Sequence, residues 1–153
     1  MKSREFDRIA REVFGNVLAP HGFSCADSKR CTFVRTHGDD VFHVIMPDPG
    51  TRFTWYDVSV FPTSPRLHLD FHDRFPDDLG NTLDVWGKLN ERTGIGMDQA
   101  RFNCKTEDNF RSRFDKTVAP LLVSAAIPFL DTIHTYDDLL PHLRGPFAAY
   151  NRG

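Results

Sequence analysis

Residues 31–46 read CTFVRTHGDDVFHVIM, and this stretch decides the architecture. Two apolar runs, Cys31 to Thr36 and Val41 to Met46, flank His37-Gly38-Asp39-Asp40, whose Gly and Asp residues suit a tight chain reversal. So short a connection joins antiparallel neighbours, because a parallel crossover needs roughly a dozen residues or more. Pairing Thr36 with Val41 places Phe33, Phe42, Val44 and Met46 on one face, and Val34, His43 and Ile45 on the other. The first face is the expected seat of the core.

Strand signals continue toward the C-terminus. Pro47-Asp48-Pro49-Gly50 breaks the chain. Arg52 to Phe61 then predicts a longer strand carrying Phe53, Trp55, Tyr56, Val58 and Val60, ended by Pro62 and Pro65. Leu67 to His72 alternates and predicts a shorter strand, and Thr82 to Arg92 a short helix with Leu83, Trp86 and Leu89 or Asn90.

Helices bracket the strands. Phe6, Ile9, Ala10, Val13, Phe14, Val17 and Leu18 recur at helical spacing, with Ser3 as the expected N-cap and Pro20 and Gly22 as the stop. Thr106 opens a second helical pattern with the stripe Phe110, Phe114, Val118, Leu121, Leu122 and Ala125, which Pro120 is expected to kink or divide. Thr135 and Asp138 have capping-box spacing ahead of Leu139, Leu140 and Leu143. The order predicts an α+β fold: an N-terminal amphipathic helix, an antiparallel β-meander of about four to five strands, and C-terminal helices packed on one sheet face. Residues 1–145 read as one domain and 146–153 as a short apolar tail.

Composition narrows the class. The chain has 153 residues, 40% hydrophobic and 26% charged, which fits a folded domain and not a disordered one. No apolar run approaches the roughly 18 residues of a membrane span. A net charge of −2 argues against broad nucleic-acid binding. Residues 37–98 are acidic, with five basic and eleven acidic side chains, which suits a cation site, a surface for a basic partner, or a solvated Asp-rich loop. Cys25, Cys31 and Cys104 are odd in number and form no C-x-x-C pair, and the N-terminus has no apolar signal segment. Reduced thiols in a cytoplasm are the expectation.

A family resemblance rests on Pro20-His21-Gly22-Phe23 after the first helix, Phe33-Val34-Arg35 before the hairpin, Ile127-Pro128-Phe129-Leu130-Asp131, then Thr135 and Leu139-Leu140. Together these resemble bacterial proteins of the domain of unknown function 4304 family, over roughly Phe6 to Leu143. The resemblance implies a small bacterial single-domain protein. That family has no established activity, so no site carries over.

Two constellations could carry chemistry. His68, Asp70 and His72 share one face of a strand, and two imidazoles with a carboxylate suit Zn²⁺ or Fe²⁺. The trio spreads across roughly 13 Å of straight strand, so one ion needs a bend or a distant ligand such as Asp73, His43 or Asp57. The ordinary alternation of a half-buried edge strand accounts for the same residues. The second constellation follows if Met46 pairs with Arg52: His43 then opposes Trp55 with Asp57 close by, giving an imidazole, a carboxylate and an aromatic wall for a ligand. Ordinary cross-strand pairs on an outer face would read the same way. Arg4, Arg8 and Arg11 on the first helix could meet phosphate or simply face water. No nucleophile or metal motif is complete. The expected function is therefore a non-catalytic module binding a protein or a small molecule. A metal-dependent hydrolase using His68 and His72 with Asp residues is the alternative, and a homodimer through the tail or an edge strand a further expectation.

Overall fold

The computed structural model describes residues 1–26, 31–38, 40–67, 87–89 and 101–143. Helix α1 (Ser3–Leu18) buries Phe6, Ile9, Ala10, Val13, Phe14 and Leu18, the periodic face of the sequence. It starts at Ser3 itself, so Lys2 takes the cap position and Ser3 does not cap the helix. A 3₁₀ turn (Ala19–His21) follows, and Gly22 closes it at φ 89°, a left-handed conformation that favours glycine.

Five strands form one antiparallel sheet in chain order: β1 (Ser24–Cys25), β2 (Phe33–His37), β3 (Val41–Pro49), β4 (Trp55–Thr63) and β5 (Phe102–Asn103). A helical turn, α2 (Pro65–Leu67), leaves β4. A continuous helical run, α3 (107–131), and a short helix, α4 (Tyr136–Leu139), complete the described fold. Of the expected strand Leu67–His72, Leu67 belongs to α2 and the rest lies outside the described residues. The expected helix 82–92 and the tail from 146 lie largely or wholly outside them too.

The hairpin register corrects the expectation by one residue. His37 pairs with Val41 and Thr36 with Phe42, because the reversal uses only residues 38–40, with Gly38 at φ 71°. A slip of one exchanges the faces. Phe33 therefore shares its face with His43 and Ile45, while Val34 joins Phe42, Val44 and Met46. The next pairing shifts further. Met46 pairs with Ser59 rather than Arg52, because β3 runs on through Pro47 and Asp48 to Pro49. The prolines are tolerated there since β2 begins opposite Ile45, so Pro47 and Pro49 lie past the end of that neighbour and leave no ladder bond open. Pro62 likewise sits inside β4, opposite His43.

Two hydrophobic clusters flank the sheet. The larger lies between the sheet and the helices α1 and α3, and is rich in rings: Phe14, Tyr56, Phe102 and Phe110 are fully buried there. The smaller gathers Val44 and Phe61 of the sheet with Ile133, Tyr136, Leu139 and Leu143. The chain after α3 thus passes the hairpin end of the sheet and covers a second apolar surface.

Helix α3 does not break at its prolines. Five-residue π turns (Phe114–Val118 and Leu122–Ala126) precede the segments in which Pro120 and Pro128 occupy an opening position. A proline lacks the N–H that a regular turn would donate, and the wider turn absorbs that loss. Thr106 caps α3 by accepting from the Asn109 N–H at 3.1 Å, and Thr135 with Asp138 forms the capping box of α4.

Candidate functional site

At the far end of β3, a groove of about 370 Å³ opens between the sheet and the start of α1. Phe6, Met46, Pro47 and Phe53 give it apolar walls, and Ser3, Thr32, Asp7 and Asp48 place polar groups around them. That volume lies near the lower end of the range of small-molecule sites, roughly 300–1,000 Å³, and the lining here is about evenly polar and apolar. Register builds it: the extension of β3 through Pro47-Asp48-Pro49 supplies one wall, and the turn in which Arg52 and Phe53 hold φ of 63° and 53° supplies another.

Both carboxylates are held in place. Arg11 Nε donates to Asp7 at 2.6 Å. Lys88 Nζ donates to Asp48 at 2.9 Å and to Asp57 at 2.7 Å, and Ser59 Oγ also donates to Asp48. Asp48 and Asp57 face each other across the β3–β4 ladder, and Lys88 reaches them because residues 87–88 run beside Ser59 and Val60. Partial burial raises the Asp57 carboxyl above its usual range, against the opposing pull of Lys88. An ionised carboxylate has about four lone-pair sites, so a pinned Asp48 keeps acceptor capacity for a further donor.

The expected trio of His43, Trp55 and Asp57 is not brought together. His43 lies opposite Pro62 near the hairpin, whereas Asp57 lies opposite Asp48 near the groove. The longer β3 separates them. Trp55 sits on the Asp57 side of the strand, with its ring against Gly50 and the Arg101 guanidinium 4.8 Å from the ring centre. His68, Asp70 and His72 lie outside the described residues. Among the described residues no group of His, Cys, Asp and Glu is arranged to hold a metal. Arg8 and Arg11 meet carboxylates: Arg8 pairs with Glu107 at 2.7 Å, tying α1 to α3. Burial pushes the Cys31 thiol up to about 12 and Cys104 to about 11, so neither is a reactive thiolate.

His43 belongs to a separate polar cluster at the hairpin end. It is fully buried; its Nδ1 accepts from Arg35 Nε at 2.9 Å, which leaves Nε2 to donate to the Ile133 carbonyl at 2.8 Å. Arg35 also pairs with Asp131, donates to the His21 carbonyl at 3.0 Å, and lies 4.7 Å from the Phe23 ring centre. Burial, and secondarily Arg35 and His37, lowers His43 to about 4 against the carbonyl bond that favours the proton. His43 is thus a neutral structural imidazole.

Sequence reasoning missed the groove and its polar rim. Asp48 stood in a stretch read as a break, and its flanking prolines were the available sign of a strand running past its neighbour. Lys88 carried no signal. Comparisons with protein-family models, with curated proteins and with solved structures found no match. Among the described residues no helix is long and apolar enough to cross a membrane.

Proposed function

We propose that this chain is a non-catalytic binding module whose groove beside β3 takes a small molecule with an apolar body and a hydrogen-bond-donating or cationic head. The observation that carries this reading is the groove itself: apolar walls from Phe6, Met46 and Phe53, with Asp7 and Asp48 held at its rim by cations of the chain. Walls of this kind bury a ligand body, and fixed carboxylates orient its donors. The Ser59 hydroxyl beside Asp48 donates to that carboxylate, and both rim acids are ion-paired, an arrangement suited to orienting a ligand's donors.

Fragment screening by NMR tests the reading. Aromatic amines are expected to shift Phe6, Thr32 and Met46 resonances in the wild-type chain. Met46→Trp, which fills the groove while leaving its charges alone, should weaken the same hits by about tenfold or more. A library that leaves those resonances unmoved, or hits indifferent to Met46→Trp, overturns the assignment.

A further inference from the structure

At the other end of the sheet, two imidazoles face each other. His37, the last residue of β2, is hydrogen-bonded through Nε2 to Nδ1 of His134, in the link between α3 and α4. Their ring centres lie 4.4 Å apart, and the His37 ring also stacks on His43 at 4.7 Å. A neutral pair joins through one N–H and one lone pair, and one added proton still leaves such a bridge. A second sets N–H against N–H and brings two positive charges together.

Charges of both signs surround the pair. Arg35, on β2, faces the cluster with positive charge. Asp131, at the end of α3, is engaged by Arg35. Asp138, on α4, accepts from the His134 and Thr135 backbone N–H groups at 3.0 and 3.1 Å. On the outer side, Asp40 pairs with Arg66 at 3.6 Å, beside His134. Asp137, on α4, lines the same outer cleft as His134.

This cluster ties the link between α3 and α4 to the hairpin, beside the buried Ile133 side chain. Arg35 holds Asp131, His43 holds the Ile133 carbonyl, and His37 holds His134. Beyond the link, Tyr136, Leu139 and Leu143 cover Val44 and Phe61. We propose that residues 131–143 form an acid-released clasp, held to the hairpin end by uncharged imidazoles and freed by their protonation, which uncovers the apolar sheet surface at Val44 and Phe61. Burial and the neighbouring His134 and Arg35, against Asp131, lower the His37 pKa, which favours the uncharged, closed bridge at neutrality.

Hydrogen exchange of the full chain, corrected for intrinsic rates, at about pH 7.5 and about pH 5 tests this. Peptides from 131–143 are expected to lose about tenfold or more in protection at the lower pH, with α1 unchanged. The double variant His37→Gln, His134→Asn keeps a hydrogen-bonding bridge without titrating rings, and should hold its change under about twofold. Single His37→Gln gives the same readout if the double variant fails to fold. Unchanged protection in the wild-type chain, loss of α1 protection in parallel, or equal opening of the variant would each overturn the clasp. None of these outcomes bears on the groove.

Discussion

A single buried hydroxyl illustrates how residue-scale accounting works in this core. Tyr56 is fully buried between Phe6, Phe14, Phe102 and Phe110, and its hydroxyl has no hydrogen-bond partner among the described residues. An unpaired buried polar atom costs about 1–3 kcal/mol, so Tyr56→Phe should stabilise the fold by about 1 kcal/mol, read as a higher denaturant midpoint at unchanged slope. His43 works in the opposite sense, because both its nitrogens are satisfied. Its folded value of about 4 lies below the ordinary 6.5, so the unfolded chain takes the proton first. Its contribution is complete above the ordinary value, declines as pH falls through that window, and is spent below the folded one. The loss amounts to about 3 kcal/mol, and a His43→Gln variant should show a shallower fall across the same window in parallel denaturant titrations. Gly38 is the third case. It holds φ 71°, and a Cβ there would meet the His134 carbonyl oxygen at 2.5 Å. Gly38→Ala should cost about 2 kcal/mol, more than the left-handed conformation alone, with the same titration as the check.

Elements show where patterns sufficed and where they did not. The face of α1 was legible because its burial follows the 3.6-residue period, and Val13→Asp should cost about 3 kcal/mol or more and lower the circular-dichroism melt accordingly. Strand existence was legible for β2, β3 and β4 from apolar runs, but register was not. It turned on whether the reversal used four residues or the observed 38–40, and on prolines that end a strand in one setting and extend it in another. The stripe of α3 was only partly legible. Phe110, Phe114, Val118, Leu122, Ala126 and Leu130 are all buried and recur at intervals of four. In a regular helix each such step advances the direction by roughly 40°, so the stripe would wind away from the sheet. The two π turns take up that rotation. A π turn behaves as one extra residue in an α-helix, so deleting Asp115 from the first should leave both flanks facing as before and the melt nearly unchanged. Deleting Ser112 from the regular segment should rotate Phe114 off the buried stripe even where the π turn takes up the lost residue, and should lower the melt markedly. Circular-dichroism melts of the two deletions separate these outcomes.

For the whole molecule, short connections and amphipathic helices were enough to read an antiparallel sheet roofed by helices. The groove was not, because it joins Ser3 and Asp7 to Thr32, Met46 and Phe53, and their meeting depends on where β3 ends. The imidazole cluster was hidden for a similar reason, since His37 and His134 stand 97 positions apart. The same separation governs how the chain acquires its shape during synthesis. Strands β2, β3 and β4 emerge from a ribosome long before residues 133–143, which cover Val44 and Phe61. Until those residues emerge, a nascent chain carries a bare patch on an otherwise assembled sheet, and that interval is when chaperone capture or aggregation should be strongest.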